Sequence, residues 1–242
     1  MNAENDIIKV KDLTKKFGGF TAVDKITFAV KAGEIFGFLG ANGAGKTTAM
    51  KMLCGILEPT SGAAEVAGFN AYSERQSIKK CIGYMSQKFS LYQDLTIDEN
   101  IKFYGGIYGL TKKEIAEKSA ALINKFGLTE ARNKLLKTLP PGWKQKLAFS
   151  IAGIHNPKII FLDEPTGGVD PVVRRAFWEL IYETAAQGIT VFVTTHYMDE
   201  AEYCDRVSIM VNGKIEALAP PKELKEIYHS KTMYEVFLKL AR

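Results

Sequence analysis

The run Gly40-Ala41-Asn42-Gly43-Ala44-Gly45-Lys46-Thr47-Thr48 constrains this chain more than any other stretch. It fits G-x-x-x-x-G-K-[ST], in which closely spaced glycines turn backbone N–H groups toward anionic oxygens with no Cβ in the way. The flanks are those such a loop needs. Glu34 to Leu39 reads as a buried strand entering it. Thr47 to Cys54 reads as a helix leaving it, and the positive N-terminal end of that helix favours anions. Lys46 brings a point charge for β- and γ-phosphates, and the Thr47 hydroxyl is a Mg²⁺ ligand. Gly40, Asn42, Gly43, Ala44, Gly45, Lys46, Thr47 and Thr48 are therefore the candidate residues for holding a nucleoside triphosphate. With α/β alternation on both sides, the unit predicts an α/β fold on a P-loop NTPase (RecA-like) core.

The chain has 242 residues, enough for one large α/β domain or a domain with a subdomain. Its net charge of +5 is too mild to argue for nucleic acid, although it suits a partner near anionic lipid headgroups. No apolar run approaches the ~18 residues of a membrane span, and Met1 to Asp6 lacks the features of a secretion signal. A cytoplasmic location is expected. Cys54, Cys81 and Cys204 are odd in number and widely spaced, which predicts neither a disulfide framework nor a zinc site.

Residues 7–35 read as antiparallel strands joined by Gly-containing turns, an N-terminal β subdomain. Short strands are expected at Ala63 to Ala67 and Cys81 to Met85. The segment 88–156 changes character and predicts an inserted α-helical subdomain between core segments 1–87 and 157–242. Within it, Thr111-Lys112-Lys113-Glu114 is a capping box opening a helix to about Phe126, which Gly127 ends. A second helix is expected from about Gly142 to His155. The alternation then resumes with a strand at Lys158 to Leu162, a helix from Pro171 to Ala186, a strand at Ile189 to Thr194 and a short helix from Met198 to Cys204. Two last strands flank the hairpin turn Asn212-Gly213.

Three further elements carry chemistry. The strand before Asp163-Glu164 aims both carboxylates into the crevice at the sheet's C-terminal edge. They repel unless a cation is present. Asp163 is thus the Mg²⁺ ligand, directly or through water, and Glu164 the base that orients and deprotonates an attacking water. His196, just after the strand 189–194, is placed to donate to a γ-phosphate. Gln87, after the strand 81–85, offers an amide oxygen to Mg²⁺ at the entry to the helical insertion. Lys46, Gln87, Glu164 and His196 form the expected catalytic set, and Thr47, Gln87 and Asp163 the metal set. His155 and His229 read as surface residues.

The order Gly40–Thr48, Gln87, Leu139–Trp143, Asp163-Glu164, Asp170, His196 resembles an ATP-binding-cassette (ABC) ATPase subunit over nearly the whole chain. The words Gly33 to Leu39, Gly83 to Gln87 and Leu95 to Asn100 are similar to those of ABC-2-type transporters, often exporters. The resemblance implies that Phe17 stacks on adenine, with Phe20 a substitute. It implies a head-to-tail dimer in which two ATP molecules lie between the phosphate loop of one subunit and the Leu139–Trp143 region of the other. Gly142 and Asp170, the latter in a loop crossing to the partner, then join the nucleotide contacts. It also implies a transmembrane permease partner, received near Phe89-Ser90-Leu91-Tyr92, Tyr104 and Tyr108, and a peripheral position on the inner face of the cell membrane. ATP hydrolysis would then power transport, with export the direction this group favours. One departure stands out: the usual Leu-Ser-Gly-Gly-Gln is here Leu139-Pro140-Pro141-Gly142-Trp143, which removes a serine hydroxyl and two N–H groups. Homo- and heterodimers both stay open. The alternative is a soluble ABC-type ATPase acting on nucleic acid or the ribosome, but such proteins usually carry two cassettes or a coiled-coil insertion, so no nucleic-acid partner is expected. A GTPase is excluded because neither Asn124-Lys125 nor Asn133-Lys134 is followed by Asp two places on.

Overall fold

Alternating apolar and polar residues in the first thirty positions build a long hairpin. β1 (Asp6–Phe17) and β2 (Phe20–Lys31) pair antiparallel with Val10 opposite Phe28, and Gly18 at φ 58° makes the turn. The computed structural model describes residues 5–87 and 91–241. Next come β3 (Ile35–Gly40), α1 (Lys46–Leu53), β4 (Ser61–Val66), β5 (Phe69–Asn70), α2 (Arg75–Cys81) and β6 (Ile82–Met85). The helices α3 (Ile97–Ile107), α4 (Lys112–Lys125) and α5 (Pro141–Ala152) lie between β6 and β7 (Ile159–Asp163) in sequence. The chain continues through α6 (Pro171–Ala185), β8 (Thr190–Thr195), β9 (Arg206–Val211), β10 (Lys214–Ala219), α7 (Pro221–Ile227) and α8 (Met233–Leu240).

Two sheets result. The antiparallel one has the order β2-β1-β4-β5, and the six-stranded one β10-β9-β3-β8-β7-β6. From β9 to β6 the larger sheet is parallel, with only β10 running against its neighbour. Strands β3, β7 and β8 are buried along their whole length, as strands covered on both faces must be. One face carries Phe36, Phe38, Phe161 and Phe192 against the antiparallel sheet and α1. Phe192 sits 5.3–5.4 Å from the other three rings, and Phe28 of β2 stacks on Phe36 at 5.6 Å. The opposite face, with Ile35, Leu39, Leu162 and Val193, shares one core with Ile101, Ile123 and Leu147 of the inserted helices.

The helices begin where their caps require. Thr96 with Glu99 and Thr111 with Glu114 make complete capping boxes at α3 and α4. α5 starts at Pro141, one residue before the expected Gly142, because proline at the first helical position needs no N–H partner. Its far end meets β6 so closely that a Cβ on Gly83 would collide with the Ala152 carbonyl.

Several expectations need correction. The helix expected over 198–204 is only a 3₁₀ turn, Glu200–Tyr203, because the Glu200 side chain is drawn inward and Tyr203 packs on Trp178. Leu91, in the segment expected to receive the permease partner, is 5 % exposed and belongs to the core instead; Tyr92 does stay outside, against Phe103. Phe89 and Ser90 lie outside the described residues. His155 is not a surface residue: it is half-buried, stacked on Tyr108 at 3.9 Å, with Nε2 3.0 Å from the Ile82 carbonyl. Helices α2, α7 and α8 were not anticipated at all.

Candidate active site

The phosphate loop leaves β3 at Gly40 and ends at Gly45, whose φ of 106° is open to glycine alone. A Cβ there would also run into the Ala22 carbonyl. α1 opens directly from this glycine with no side chain capping it and no acid in its first turn, so its leading amides are left for an outside anion. From below, the 212–213 turn braces the loop. The Gly213 N–H donates to the Ala44 carbonyl at 3.0 Å, and the Gly213 carbonyl accepts from the Asp24 amide at 2.8 Å. Asn212 at φ 48° and Gly213 at φ 83° give that turn the twist a two-residue hairpin needs.

Lys46 is buried. Its Nζ donates to the carbonyls of Gly40 (2.8 Å) and Ala41 (3.1 Å) and lies 3.3 Å from Glu164 Oε1. Burial pushes this ammonium below its usual range, against the pull of Glu164 and Asp163, which favour the charged form. Glu164 extends past the end of β7 with φ at 48°, a strained value for a side chain of this kind. Its amide pays for that by bonding both the carbonyl (3.1 Å) and the hydroxyl (3.0 Å) of Thr194. The conformation swings the carboxylate toward the loop, where Oε2 accepts from Gln87 Nε2 at 2.9 Å and meets His196 Nδ1 at 3.1 Å. Asp163 Oδ1 accepts from Thr47 Oγ1 at 2.9 Å and from Thr194 Oγ1 at 2.8 Å.

Lys46, Thr47, Gln87, Asp163, Glu164 and His196 thus come together as the sequence predicts. Lys46, Thr47, Gln87 and Glu164 border a cleft of about 420 Å³ whose walls include Asn42, Gly43, Gly45, Thr48, Phe17 and Phe20, and Asp163 and His196 join it through their bonds to Thr47 and Glu164. Gly40 and Ala44 are buried beneath the loop; a Cβ on Gly40 would come within 2.5 Å of the Met210 carbonyl. Gly142 and Asp170 are not part of this cleft. They line a second one of about 500 Å³ with Pro140, Trp143, Lys146 and Val173. There Asp170 Oδ1 caps α6 by accepting from Val172 and Val173 amides at 3.0 Å. Trp143 and Lys144 turn their amides onto the Pro140 carbonyl.

The sequence reading missed Thr194, which fixes both acids from the neighbouring strand. The register Asp163↔Thr194 puts it there, and only a known pairing of β7 with β8 reveals it.

The arrangement fits a Mg²⁺-bound triphosphate. The Thr47 hydroxyl and Asp163 carboxylate are hard oxygen donors side by side. No group of three His, Cys, Asp or Glu residues suited to a metal occurs among the described residues. The chain would then supply a minority of that ion's ligands, and phosphate and water oxygens the rest, as is usual for this ion.

The ABC transporter family profile matches residues 23–167. The chain belongs to the ABC transporter family. The cassette is 50 % identical over 219 residues to the probable multidrug ABC transporter ATP-binding protein YbhF of Escherichia coli, covering 90 % of this chain and 38 % of that one. It is 37 % identical over 219 residues to the daunorubicin/doxorubicin resistance ATP-binding protein DrrA of Streptomyces peucetius, covering 90 % of this chain and 66 % of that relative. The cassette thus spans well under half the length of the first of these. Among solved structures, an ATP-binding subunit of an ABC transporter superposes with a TM-score of 0.86 at 27 % identity, over 98 % of this chain and 100 % of the other. The fold is that of the P-loop NTPases.

Proposed function

We propose that this cassette binds and hydrolyses ATP with Mg²⁺ and thereby powers a separate transmembrane permease of the ABC-2 type, acting in export. The observation that carries this reading is the linkage of Lys46, Gln87 and His196 to one buried carboxylate, Glu164, at the mouth of an uncapped phosphate loop. When phosphate oxygens enter, Lys46 exchanges its contact with Glu164 for them and neutralises their charge. Glu164 Oε1 is then free to take the proton of the attacking water, while Gln87 and His196 keep hold of Oε2. His196 turns its remaining ring nitrogen toward the terminal phosphate, and the backbone amides of the loop meet charge that builds on the bridging oxygens. Mg²⁺, held by Thr47 and Asp163, would offset the charge of the phosphates and make the phosphorus easier to attack. Gln87 would offer that ion its amide oxygen, which its Nε2 bond to Glu164 does not use. Phe17, half exposed at the cleft mouth, offers its ring to adenine.

Gly142 and Asp170 face a cleft of their own, which supports a role for them across a head-to-tail dimer, with a second copy or a related cassette. The surface beside β6 supports a membrane partner and a peripheral position on the inner face of the membrane. A groove of about 390 Å³ there is lined by Ile56, Lys79, Lys80, Tyr84, Ile107 and Tyr108. Ile56 and Ile107 are 52 % and 61 % exposed, more than a free surface normally leaves side by side. Among the described residues no helix is long and apolar enough to cross a membrane. The deciding experiment is Glu164→Gln. ATP binding is retained and turnover is lost; a variant that turns over ATP at the normal rate refutes the assignment.

A further inference from the structure

Glu200 is fully buried, yet the chemistry above makes no use of it. Both its oxygens are claimed by hydroxyls at the ends of neighbouring strands. Oε1 accepts from Thr166, three residues beyond Asp163, and Oε2 from Thr195 at 2.5 Å. A carboxylate so placed is tolerable only when paired, and the Arg174 guanidinium stands 3.7 Å from Oε1. The Thr195 hydroxyl also accepts from the Tyr197 amide at 3.0 Å, closing the turn that displays His196. That turn needs its hydroxyl proton pointed elsewhere, and Glu200 is where it goes.

Arg174 extends the connection. Its guanidinium lies 4.2 Å from the centre of the Tyr197 ring and 3.3 Å from Asp199 Oδ2, and Tyr197 packs on the His196 ring at 4.2 Å. Arg174 rises from the first turn of α6, its amide bonded to the Asp170 carbonyl at 2.9 Å. One acid and one base therefore join the 167–170 loop, through Thr166 and α6, to the turn that carries His196.

We propose that Glu200 and Arg174 are positioning residues for His196, holding it against Glu164 and moving it as one unit with the 167–170 loop. This rests on the hydrolytic reading above for its consequence in turnover, but not for its structural content. The full chain labelled with ¹⁵N in its three histidines gives a direct readout, since His196 is then one of three ring signals. In the wild type the His196 ring nitrogens report a single tautomer bonded through Nδ1. In Glu200→Gln and in Thr195→Val those signals move toward tautomer averaging, while His155 and His229 stay put; Thr195→Ser, which keeps the hydroxyl, matches the wild type. Turnover of MgATP falls roughly 10–100-fold in kcat in the first two variants. KM stays within about twofold, because the phosphate loop and Lys46, which carry most of the grip on the nucleotide, are untouched. Unchanged His196 signals in a folded Glu200→Gln protein, or a Thr195→Ser protein that behaves like Thr195→Val, overturn the proposal. Should Glu200→Gln fail to fold, the Thr195 pair decides. A wild-type chain with ordered His196 signals and no ATP turnover would overturn the hydrolytic reading instead and leave the positioning intact.

Discussion

Phe17→Ala tests where the base of the nucleotide lies, and its size follows from exposure. The Phe17 ring is 49 % exposed at the rim of the phosphate-loop cleft, with Lys15 Nζ 5.2 Å from its centre. A phenylalanine side chain has about 200 Å² to bury, so roughly 100 Å² faces water here. An adenine covering most of that area gains about 2.5 kcal/mol at 25 cal/mol per Å². The figure falls inside the ~1–3 kcal/mol seen for single base–aromatic stacks. Truncation to alanine should therefore weaken ATP binding about 60-fold. Inorganic triphosphate, which touches only the loop and Lys46, should bind the variant as it binds the wild type. Titration calorimetry with both ligands, alongside Phe20→Ala, measures the difference. Phe20 is 63 % exposed and lines the same cleft, so it is the internal control. A larger loss of ATP affinity in Phe20→Ala than in Phe17→Ala would refute the assignment, as would equal losses for ATP and triphosphate in Phe17→Ala.

Thr194→Val keeps the shape of a buried strand residue but removes the hydroxyl that serves Asp163 and Glu164; losing a bond to a charged acceptor costs about 1.5–3 kcal/mol. Calorimetry should show Tm lower by roughly 3–12 °C, with Thr194→Ser much closer to the wild type; an unchanged Tm in the valine variant counts against the role. His155 gives a pH effect. Burial pushes its imidazole below the usual range, against its bond to the Ile82 carbonyl, whereas the unfolded chain titrates near pH 6.5. The unfolded state then takes up a proton that the folded state refuses, so stability present above about pH 6.5 is lost as pH falls toward the folded value. Melts at about pH 7.5 and 5.5 should show a smaller drop for His155→Phe, which retains the stack on Tyr108; equal drops refute the cause.

What was legible in the sequence was local. The capping box at Thr111, the proline opening α6 and the Asn212-Gly213 turn each depend on residues a few positions apart, and each predicts an element that is present. The phosphate loop, Asp163 and Glu164 were legible for the same reason, since strand, glycine and acid are consecutive. What failed was what only packing decides. α2 has one fully buried apolar residue, Ile78, and no side-chain cap, so nothing in its seven residues announces a helix. Leu91 and His155 were placed by neighbours in sequence, but α3 and β6 determine what they touch. Thr194 and Glu200 matter because β7 and β8 lie side by side, and a threonine or glutamate among others carries no mark of that.

The bracing of the phosphate loop by the 212–213 turn bears on how this protein can be re-engineered. A two-residue hairpin at the surface is ordinarily where one would graft a reporter or open new chain ends. Here the Gly213 amide and carbonyl are both spoken for, by Ala44 and Asp24, so a graft would loosen the nucleotide cradle from beneath. The bend at Gly127 after α4, where a Cβ would meet nothing within 4 Å, is the safer seam.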